Sequence, residues 1–328
     1  MLSEPLFVSR EVSEEKKALV TGGAGFMGRA LVQLLVSRGW KVVCYDLSGG
    51  PPFAERLPPV RYLTGSILDS EGLADAMRGV DAIFHFAGIS SVPACSEAPS
   101  RAVEQNVMGT ARVLEAYRSS APAAVFLFAS SAHVYGGSEK VEKFNERDPP
   151  APASMYATSK AAAEAIALQF QRSYDLDVRI ARYSNVYGPG QKKNILFDFF
   201  RKASLAESEF LIEGSGVQQR DFIFIDDAVA ASLDLATRDV GSERIVNVSS
   251  GAVTSVSFLA QLVCDLIGRG SLTIRTTKES WLGDIDILAC DNSLLMQLAP
   301  QVFTDISTGT RAYVDWLKTS GLSDSLYR

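Results

Sequence analysis

The sequence has few cysteines, no excess of positive charge and no long apolar run, and each shortage excludes a class of protein. Its four cysteines, Cys44, Cys95, Cys264 and Cys290, stand far apart, without the close pair spacings of zinc sites or redox motifs. We therefore expect no metal site, and reduced thiols in a cytoplasmic protein. The formal net charge of −6 provides no general basic field, so we expect neither nucleic acid nor an anionic membrane as a partner.

No stretch approaches the roughly 18 apolar residues that a transmembrane helix needs. The first residues, MLSEPLFVSREVSEEKK, also lack the apolar centre of a signal peptide. We expect residues 1–16 to form a flexible extension before the fold begins. The remaining chain is long enough for one large or two ordinary domains, and the hydrophobic fraction of 47% is that of a soluble globular protein.

The first informative pattern in the chain is a strand, a glycine turn and a helix. Lys17–Thr21 is a short apolar run that stops at Gly22-Gly23-Ala24-Gly25-Phe26-Met27-Gly28, after which leucines recur at helical spacing. Glycines at 22, 25 and 28 permit a tight turn, close approach of the backbone to a pyrophosphate and close helix packing. A glycine-rich loop without a ligand is the alternative, but the strand, turn and helix together favour dinucleotide binding.

The next predicted strand, Lys41–Tyr45, is followed by Asp46, which lies about 20 residues beyond the glycines. A carboxylate at this spacing can accept hydrogen bonds from an adenosine ribose, and it repels a 2′-phosphate. The sequence therefore favours NAD over NADP. Asp46 could instead cap a turn at the end of its strand.

Further apolar runs alternate with helical patterns, which predicts an α/β fold with a doubly wound parallel sheet. The predicted strands are Val60–Thr64, Asp81–Phe86, Ala124–Phe128 and Val178–Tyr183. After residue 184 the segments become shorter and less regular. We expect a cofactor-binding domain at 17–184, to which a segment near 222–250 returns, and a smaller α/β substrate-binding region at 185–328.

Two short stretches point to chemistry at the carboxyl edge of this sheet. Tyr156 and Lys160 lie four residues apart in an alanine-rich segment, so they should share a helix face. A cation near a phenol lowers the phenol pKa from about 10 and prepares it to act as a base. Ser131 follows a predicted strand and could hydrogen-bond the oxygen that Tyr156 deprotonates. The ordinary interpretations are a surface pair on an amphipathic helix and a turn-forming serine.

Several short motifs follow one another along the chain: Thr21 to Gly28, His85-Phe86-Ala87-Gly88, Asn106-Val107, Ser130 to Gly136, Tyr156 to Lys160, Arg182 to Gly190 and Arg220-Asp221-Phe222. In this order the chain resembles the extended short-chain dehydrogenase/reductases. Within that family it is similar to the NAD-dependent nucleotide-sugar epimerases and dehydratases, especially members like UDP-glucose 4-epimerase. The resemblance implies a Rossmann fold and assigns the catalytic triad to Ser131, Tyr156 and Lys160.

The resemblance also implies which residues contact the ligands. For NAD these are Gly22, Gly25, Phe26, Met27, Gly28, Asp46, Ser66, Ile67, Phe86, Ala87, Gly88, Asn106 and Lys160, and for the nucleotide sugar they are Ser90, His133, Asn185 and Arg220. Arg220 suits a diphosphate because a guanidinium binds phosphate oxygens in a bidentate manner, although a pair with Asp221 or Asp226 is the alternative. A homodimer through the helices near 103–117 and 156–174 is implied as well.

Three stretches depart from the family pattern. Gly65-Ser66-Ile67 lacks the aspartate that contacts adenine, which leaves Ser66 or the Ile67 backbone to hold the base. Trp281-Leu282-Gly283-Asp284 lacks an arginine that helps to hold the nucleotide. Ala132-His133 replaces the Asp-Glu pair with which the 4,6-dehydratases eliminate water. His133 could be a general acid or base, a substrate contact or a structural residue.

We therefore expect an NAD-dependent nucleotide-sugar epimerase. Tyr156 would remove a proton from a sugar hydroxyl while NAD takes hydride from the same carbon, and hydride would return to the opposite face of the keto intermediate. A reductase that exchanges its cofactor and a dehydratase that uses His133 are the alternatives. A non-catalytic NAD-binding scaffold is disfavoured because Ser131, Tyr156 and Lys160 are all present.

Overall fold

The computed structural model describes residues 15–48, 57–138, 143–277 and 285–320. The described strands are β1 (Lys17–Thr21), β2 (Lys41–Asp46), β3 (Val60–Thr64), β4 (Ala82–His85), β5 (Val125–Ser131), β6 (Lys143–Phe144), β7 (Val178–Tyr183), β8 (Asn185–Tyr187), β9 (Glu209–Ile212), β10 (Gln219–Phe224), β11 (Ile245–Val248), β12 (Val253–Ser255), β13 (Thr273–Thr276) and β14 (Ile287–Cys290). The α-helices are α1 (Phe26–Ser37), α2 (Ser70–Ala76), α3 (Val92–Glu97), α4 (Pro99–Ala102), α5 (Gly109–Ser120), α6 (Met155–Tyr174), α7 (Ile195–Leu205), α8 (Ile225–Thr237), α9 (Val256–Leu266), α10 (Ser293–Leu298) and α11 (Ile306–Thr319). A π-helical segment (Val103–Met108) precedes α5, and a 3₁₀ turn (Ala132–Tyr135) follows β5.

A seven-stranded sheet forms the centre of the molecule, with the order β11-β7-β5-β4-β1-β2-β3. Every neighbouring pair is parallel. The direction of strand succession reverses between β1 and β4, and such a reversal opens a crevice at the carboxyl ends of the strands. The predicted doubly wound α/β fold is confirmed.

One strand differs from its predicted bounds in a way that matters for the site. The apolar pattern predicted an end at Phe128, but β5 continues through Ser131 because Ala129, Ser130 and Ser131 pair with β7. Ser130 and Ser131 are therefore strand residues with fixed backbones, and the Ser131 hydroxyl also caps the 3₁₀ turn that follows.

Alternate residues of the sheet face two apolar layers, as expected of a sheet that helices cover on both sides. On β1, Val20 belongs to one layer and Leu19 to the other. The first layer includes Leu31 of α1 and Ala228 of α8. The second includes side chains of α2, α5 and α6: Leu73, Val113 and Ala163. Two such layers hold the carboxyl edge of the sheet rigid.

The residues after β7 build the smaller region above this edge. β10 joins antiparallel β12 and parallel β14 and β8, and β13 pairs with β9. β11 instead returns to the large sheet beside β7, within the segment that was expected to return. The domain boundaries themselves remain a prediction, and residues 1–14 of the predicted extension lie outside the described residues.

Two general properties complete the description. Cys44, Cys95, Cys264 and Cys290 are all buried free thiols. Within the described ranges, no helix is both long and apolar enough to cross a bilayer.

Candidate active site

The glycine turn between β1 and α1 has a backbone that only glycine can adopt. Gly22 has φ +71°, and a Cβ there would lie 2.7 Å from the Ala87 nitrogen. A Cβ on Gly28 would lie 2.1 Å from the Gly22 carbonyl oxygen. α1 begins after Gly25 without a side-chain cap, so its first N–H groups can bind an anion. The turn therefore fits the pyrophosphate of a dinucleotide.

This turn forms one wall of a cleft of about 1160 Å³ along the carboxyl edge of the sheet. The cleft is lined by predicted cofactor contacts Gly22, Gly25, Phe26, Met27, Gly28, Asp46, Ile67, Phe86, Ala87 and Gly88. It is also lined by Ser131, Tyr156, Ser90, His133, Asn185 and Arg220. The fold thus brings residues from distant parts of the sequence to one cavity.

Asp46 combines the two roles considered from the sequence. One carboxylate oxygen accepts hydrogen bonds from the Ser48 N–H and hydroxyl, both at 2.9 Å, and so caps the turn after β2. The other accepts from the Ala24 N–H at 3.2 Å, which ties the glycine turn to β2. The carboxylate also lines the cleft, where it can accept hydrogen bonds from ribose hydroxyls.

The end of the cleft where the sequence predicts adenine contacts is built around Tyr45, which the sequence reasoning missed. The Tyr45 hydroxyl donates to the Ser66 carbonyl oxygen at 3.0 Å, and a Cβ on Gly65 would lie 2.2 Å from that hydroxyl. The Ser66 hydroxyl accepts from the Leu68 N–H at 3.2 Å and is thus used within the loop. Ile67 and Tyr45, but not Ser66, line the cleft.

Asn106 lies behind the cleft wall in the π-helical segment. Its amide oxygen accepts from the Ile89 N–H at 2.7 Å, and its NH₂ group donates to the Ile89 carbonyl at 3.0 Å and to the Ser159 hydroxyl at 2.9 Å. A Cβ on Gly88 would lie 2.7 Å from the amide oxygen. Asn106 therefore fixes the loop after β4 against α6, a role that the sequence did not indicate.

Ser131, Tyr156 and Lys160 come together at the end of β5. α6 begins after Ser154, whose hydroxyl accepts from the Ala157 N–H at 3.2 Å, and its first turns carry Tyr156 and Lys160 into the site. Ser131 is 5% exposed, Tyr156 9% and Lys160 7%. The interpretation of Tyr156 and Lys160 as a surface pair is therefore wrong.

The electrostatics of this group differ from the simple expectation. Burial raises the pKa of Tyr156, which a hydrogen bond with Ser131 offsets only in part. Lys160 donates to the Ala129 carbonyl oxygen at 2.8 Å and lies 4.9 Å from the centre of the Phe128 ring. Burial lowers the Lys160 pKa to about 8. For the polypeptide alone, the expectation that Lys160 gives Tyr156 a lowered pKa is wrong, because desolvation of the phenol dominates.

The two histidines of the chain have different surroundings. His133 lies on the 3₁₀ turn and lines the cleft, with its ring centre 6.1 Å from that of Tyr156 in a T-shaped arrangement. The His133 backbone N–H donates to the Ser131 hydroxyl at 3.3 Å. His85 is fully buried between the Thr21 and Thr110 hydroxyls, and burial lowers its pKa to about 3. Of the two, His133 is therefore the one that can meet a substrate.

The opposite wall carries Asn185 and Arg220. The Asn185 amide donates to the Asp221 carbonyl at 3.0 Å, and Arg220 donates to the carbonyls of Gln219 and Asp286 at 3.0 and 3.1 Å. The Asp221 carboxylate accepts from Ser250 and Gly251, and burial raises its pKa to about 6. Both Asn185 and Arg220 line the cleft, while the predicted departure at Trp281-Leu282-Gly283-Asp284 lies outside the described residues.

Other polar residues of the cleft were not singled out from the sequence. Lys193 and Asn194 line it just before α7, and Arg101 lines it from α4. The Asn194 side chain accepts from the Leu196 N–H at 2.8 Å and caps α7. An asparagine at the start of an amphipathic helix is a recognisable cap, so this helix start was within reach of sequence rules.

Comparisons with known proteins agree with this arrangement. A family model described as the NAD dependent epimerase/dehydratase family matches residues 18–249. The chain is 33% identical over 262 residues to a UDP-glucose 4-epimerase of Mycolicibacterium smegmatis, covering 77% of this chain and 83% of the relative. It is 32% identical over 277 residues to a mouse dTDP-D-glucose 4,6-dehydratase, covering 81% and 77%.

A solved structure supports the same relationship. MoeE5 in complex with UDP-glucuronic acid and NAD has a TM-score of 0.82 and 30% identity, over 93% of this chain and 99% of that chain. The glycine turn and the Asp46 carboxylate supply the cradle that such a cofactor requires. The protein therefore belongs to the NAD-dependent epimerase/dehydratase family and is an enzyme with NAD as its cofactor.

Proposed function

We propose that this enzyme is a nucleotide-sugar epimerase that oxidises a sugar hydroxyl transiently to a ketone and then reduces it from the opposite face. The observation that carries the proposal is the grouping of Ser131, Tyr156 and Lys160 at the end of β5. Ser131 and Tyr156 line the same cleft as the dinucleotide cradle, and Lys160 lies buried behind them, outside the lining. A triad that is complete and buried beside the cofactor site supports redox chemistry at a hydroxyl.

Each residue of the triad has a separate task in this proposal. Tyr156 accepts the proton of the sugar hydroxyl and later returns it. Ser131 hydrogen-bonds the phenol and holds the reacting oxygen in place. Lys160 contributes a positive charge that favours the tyrosinate, and Ala129 and Phe128 fix its direction. NAD, when bound, supplies the acceptor and then the donor of the hydride, and its positive ring favours the tyrosinate further.

The sequence after Ser131 argues against elimination as the main reaction. Ala132 is fully buried and has no proton to exchange, so this stretch offers no acidic pair. A dehydratase is the second candidate because the His133 ring lies next to Tyr156 in the cleft. A single imidazole would then have to serve as both acid and base in the loss of water.

The proposed substrate class follows from the far wall of the cleft. Asn185 and Arg220 line it together with Lys193, which gives donors and positive charge suited to a diphosphate. Relatives and a structural neighbour that act on or bind UDP-sugars or dTDP-glucose support a nucleotide sugar. The assay described below identifies the nucleotide base, the sugar and the carbon whose configuration inverts.

We also propose that the enzyme works as a homodimer. Val103 and Met108 expose 43% and 48% of their surface on the helical segment that the family resemblance assigns to the subunit contact. Apolar side chains at this exposure are favoured contacts for a second copy.

The test is to incubate the purified protein with a panel of UDP- and dTDP-sugars and to separate the products by chromatography with mass detection. An epimerase gives a new peak of unchanged mass. A product that has lost water would contradict the proposal and support the dehydratase.

Tyr156→Phe provides the mechanistic check on this assay. We expect a fall of about 10²- to 10⁴-fold in kcat, with NAD affinity nearly unchanged, because only the proton acceptor is removed. Tyr174→Phe is the matched control, since Tyr174 is 46% exposed at the other end of the same helix. A Tyr156→Phe variant with full activity would rule out this mechanism.

A further inference from the structure

The triad residues on α6 are each tied to the end of β5. The Ala129 carbonyl accepts a hydrogen bond from Lys160 at 2.8 Å, and Ser131 hydrogen-bonds Tyr156. Two residues of the strand end thus bind helix residues that lie one turn apart. The strand residue between these two, Ser130, makes a third contact of the same kind.

The Ser130 hydroxyl donates to the Glu164 carboxylate at 2.5 Å. Glu164 stands four residues after Lys160 and shares its helix face. The same carboxylate accepts from the Arg182 Nε at 3.0 Å and from Nη2 at 2.7 Å. Arg182 lies on β7 directly beside Ser130 in the sheet register. We call Ser130, Glu164 and Arg182 the strand–helix clamp.

The clamp is buried as deeply as the triad. Glu164 is 3% exposed, Arg182 2% and Ser130 4%. A buried carboxylate is retained as a charge only where a cation and hydrogen bonds compensate its lost hydration, and Arg182 and Ser130 supply both. Arg182 also lies 4.8 Å from the centre of the Tyr135 ring, so the clamp supports the 3₁₀ turn that carries His133.

The carboxylate of the clamp acts on Lys160. Burial lowers the Lys160 pKa to about 8, and Glu164 is the first of the two groups that raise it, ahead of Cys95 on α3. Lys160 in turn contributes to the lowered pKa of His85 on β4. Without a carboxylate one turn away, a lysine buried to this degree loses its proton more readily.

We propose that Glu164 is a positioning residue of the reaction, which fixes the end of β5 against α6 and keeps Lys160 protonated at neutral pH. Arg182 is the counter-charge that pairs with Glu164 in the interior, at 2.7 Å. The inference rests on the roles that the proposed function gives to Ser131, Tyr156 and Lys160.

The test measures the ionisation of Lys160 through stability and needs no substrate. The free energy of unfolding is measured against pH for the wild type and Lys160→Met, and again for Glu164→Gln and Glu164→Gln/Lys160→Met. In the wild-type background, the change in unfolding free energy caused by Lys160→Met is constant at low pH and begins to vary near the Lys160 pKa of about 8. In the Glu164→Gln background we expect this onset about one pH unit lower. An onset at the same pH in both backgrounds would overturn the proposal.

Glu164→Gln leaves Arg182 buried without its partner, which can prevent folding. The same cycle is therefore also made with Glu164→Gln/Arg182→Met, which removes both buried charges and should again lower the onset. Asp177→Asn is the matched control. Asp177 directly precedes β7 and pairs at 2.5 Å with Arg179, which lies on the same strand as Arg182. It should destabilise the protein without moving the Lys160 onset.

Activity supplies a second readout once a substrate is known. In Glu164→Gln/Arg182→Met the basic limb of kcat/KM should move to lower pH by the same amount as the stability onset, whereas loss of structure alone would lower kcat/KM at all pH values. If no nucleotide sugar reacts, the proposed function fails while the stability cycle still decides the role of Glu164.

Discussion

Lys160 is a cation that the fold holds almost out of water. It is 7% exposed, and its ammonium is directed at the Ala129 carbonyl and lies near the Phe128 ring face. These contacts compensate part of the lost hydration, but burial still lowers the pKa to about 8. At neutral pH the side chain is charged, although its pKa lies only about one pH unit higher.

The stability of the protein should reveal this cost. The folded-state pKa of Lys160, about 8, lies below the ordinary 10.5. The unfolded state therefore binds more protons between these pH values, and the contribution of Lys160 to stability rises with pH across this window. Below pH 8 the charged lysine destabilises the folded state by about 3 kcal/mol relative to its contribution above the window.

Lys160→Met should remove this dependence. The quantity to compare is the free energy of unfolding of the variant minus that of the wild type, measured by urea unfolding. This difference should be larger at pH 7 than at pH 10.5 by about 3 kcal/mol. A difference between variant and wild type that is the same at both pH values would contradict the assignment.

Individual residues show what the sequence could and could not tell. The helical spacing placed Tyr156 and Lys160 on one face, which the structure confirms. The direction of the Tyr156 pKa shift could not be predicted from the sequence. It depends on burial against Cys95 and Ala102, which come from other segments of the chain. Local spacing predicts direction on a helix, whereas desolvation depends on the whole fold.

At the scale of elements, the turn from β1 to α1 is a tightly constrained piece of backbone. Gly22 adopts φ +71° and the Gly28 Cα packs on the Gly22 carbonyl. The start of α1 is thereby held at the cleft, where its uncapped N–H groups can bind a pyrophosphate.

Gly28→Ala should weaken NAD binding about 100-fold. A Cβ at this position would lie 2.1 Å from the Gly22 carbonyl oxygen, so the turn must open and its N–H groups move. A calorimetric titration of the protein with NAD measures the change in Kd. A 100-fold change corresponds to about 2.7 kcal/mol of binding free energy. Gly241→Ala is the control, since Gly241 also has a positive φ, +57°, but no atom lies within 4 Å of its added Cβ. Equal affinity in both variants would contradict this interpretation of the turn.

The elements were predictable where hydrophobic periodicity is strong. β1, β3 and β7 match their predicted bounds. The end of β5 was not predictable, since Ser130 and Ser131 are polar and remain in the strand only through pairing with β7. The role of Asn106 was hidden for a similar reason, because its partner Ile89 lies 17 residues earlier along the chain.

At the scale of the molecule, one buried amide connects the large sheet to the smaller region. Asn247 on β11 donates to the carbonyls of Phe144 and Asp291 at 3.0 and 3.2 Å. It accepts from the Tyr135 hydroxyl at 2.7 Å, and its N–H donates to Glu146 at 2.8 Å. All four partners of Asn247 are more than 40 residues away in the sequence, so no local sequence pattern indicates these contacts.

Asn247→Leu should destabilise the protein by about 3 kcal/mol or more. The substitution keeps a similar volume but removes the Asn247 partner of the Asp291 carbonyl and of the Tyr135 hydroxyl. It also removes one of two hydrogen bonds to the Phe144 carbonyl, which keeps the Asp291 N–H at 2.8 Å. Urea unfolding measures the effect. Asn292→Ala, which removes a hydrogen bond to the Ser249 carbonyl, should cost about 1 kcal/mol. A cost of Asn247→Leu no larger than that of the control would contradict a connecting role.

The central proposal is that hydride leaves a sugar carbon and returns to the same carbon within one cleft, while Tyr156 handles only the hydroxyl proton. A nucleotide sugar that carries deuterium on every ring carbon tests this directly when the wild-type enzyme converts it in ordinary water. We expect an epimeric product of unchanged mass with all of its deuterium retained, because hydride does not exchange with solvent. Loss of one deuterium to water would show that inversion proceeds through removal of a proton from carbon, and it would contradict the proposed mechanism.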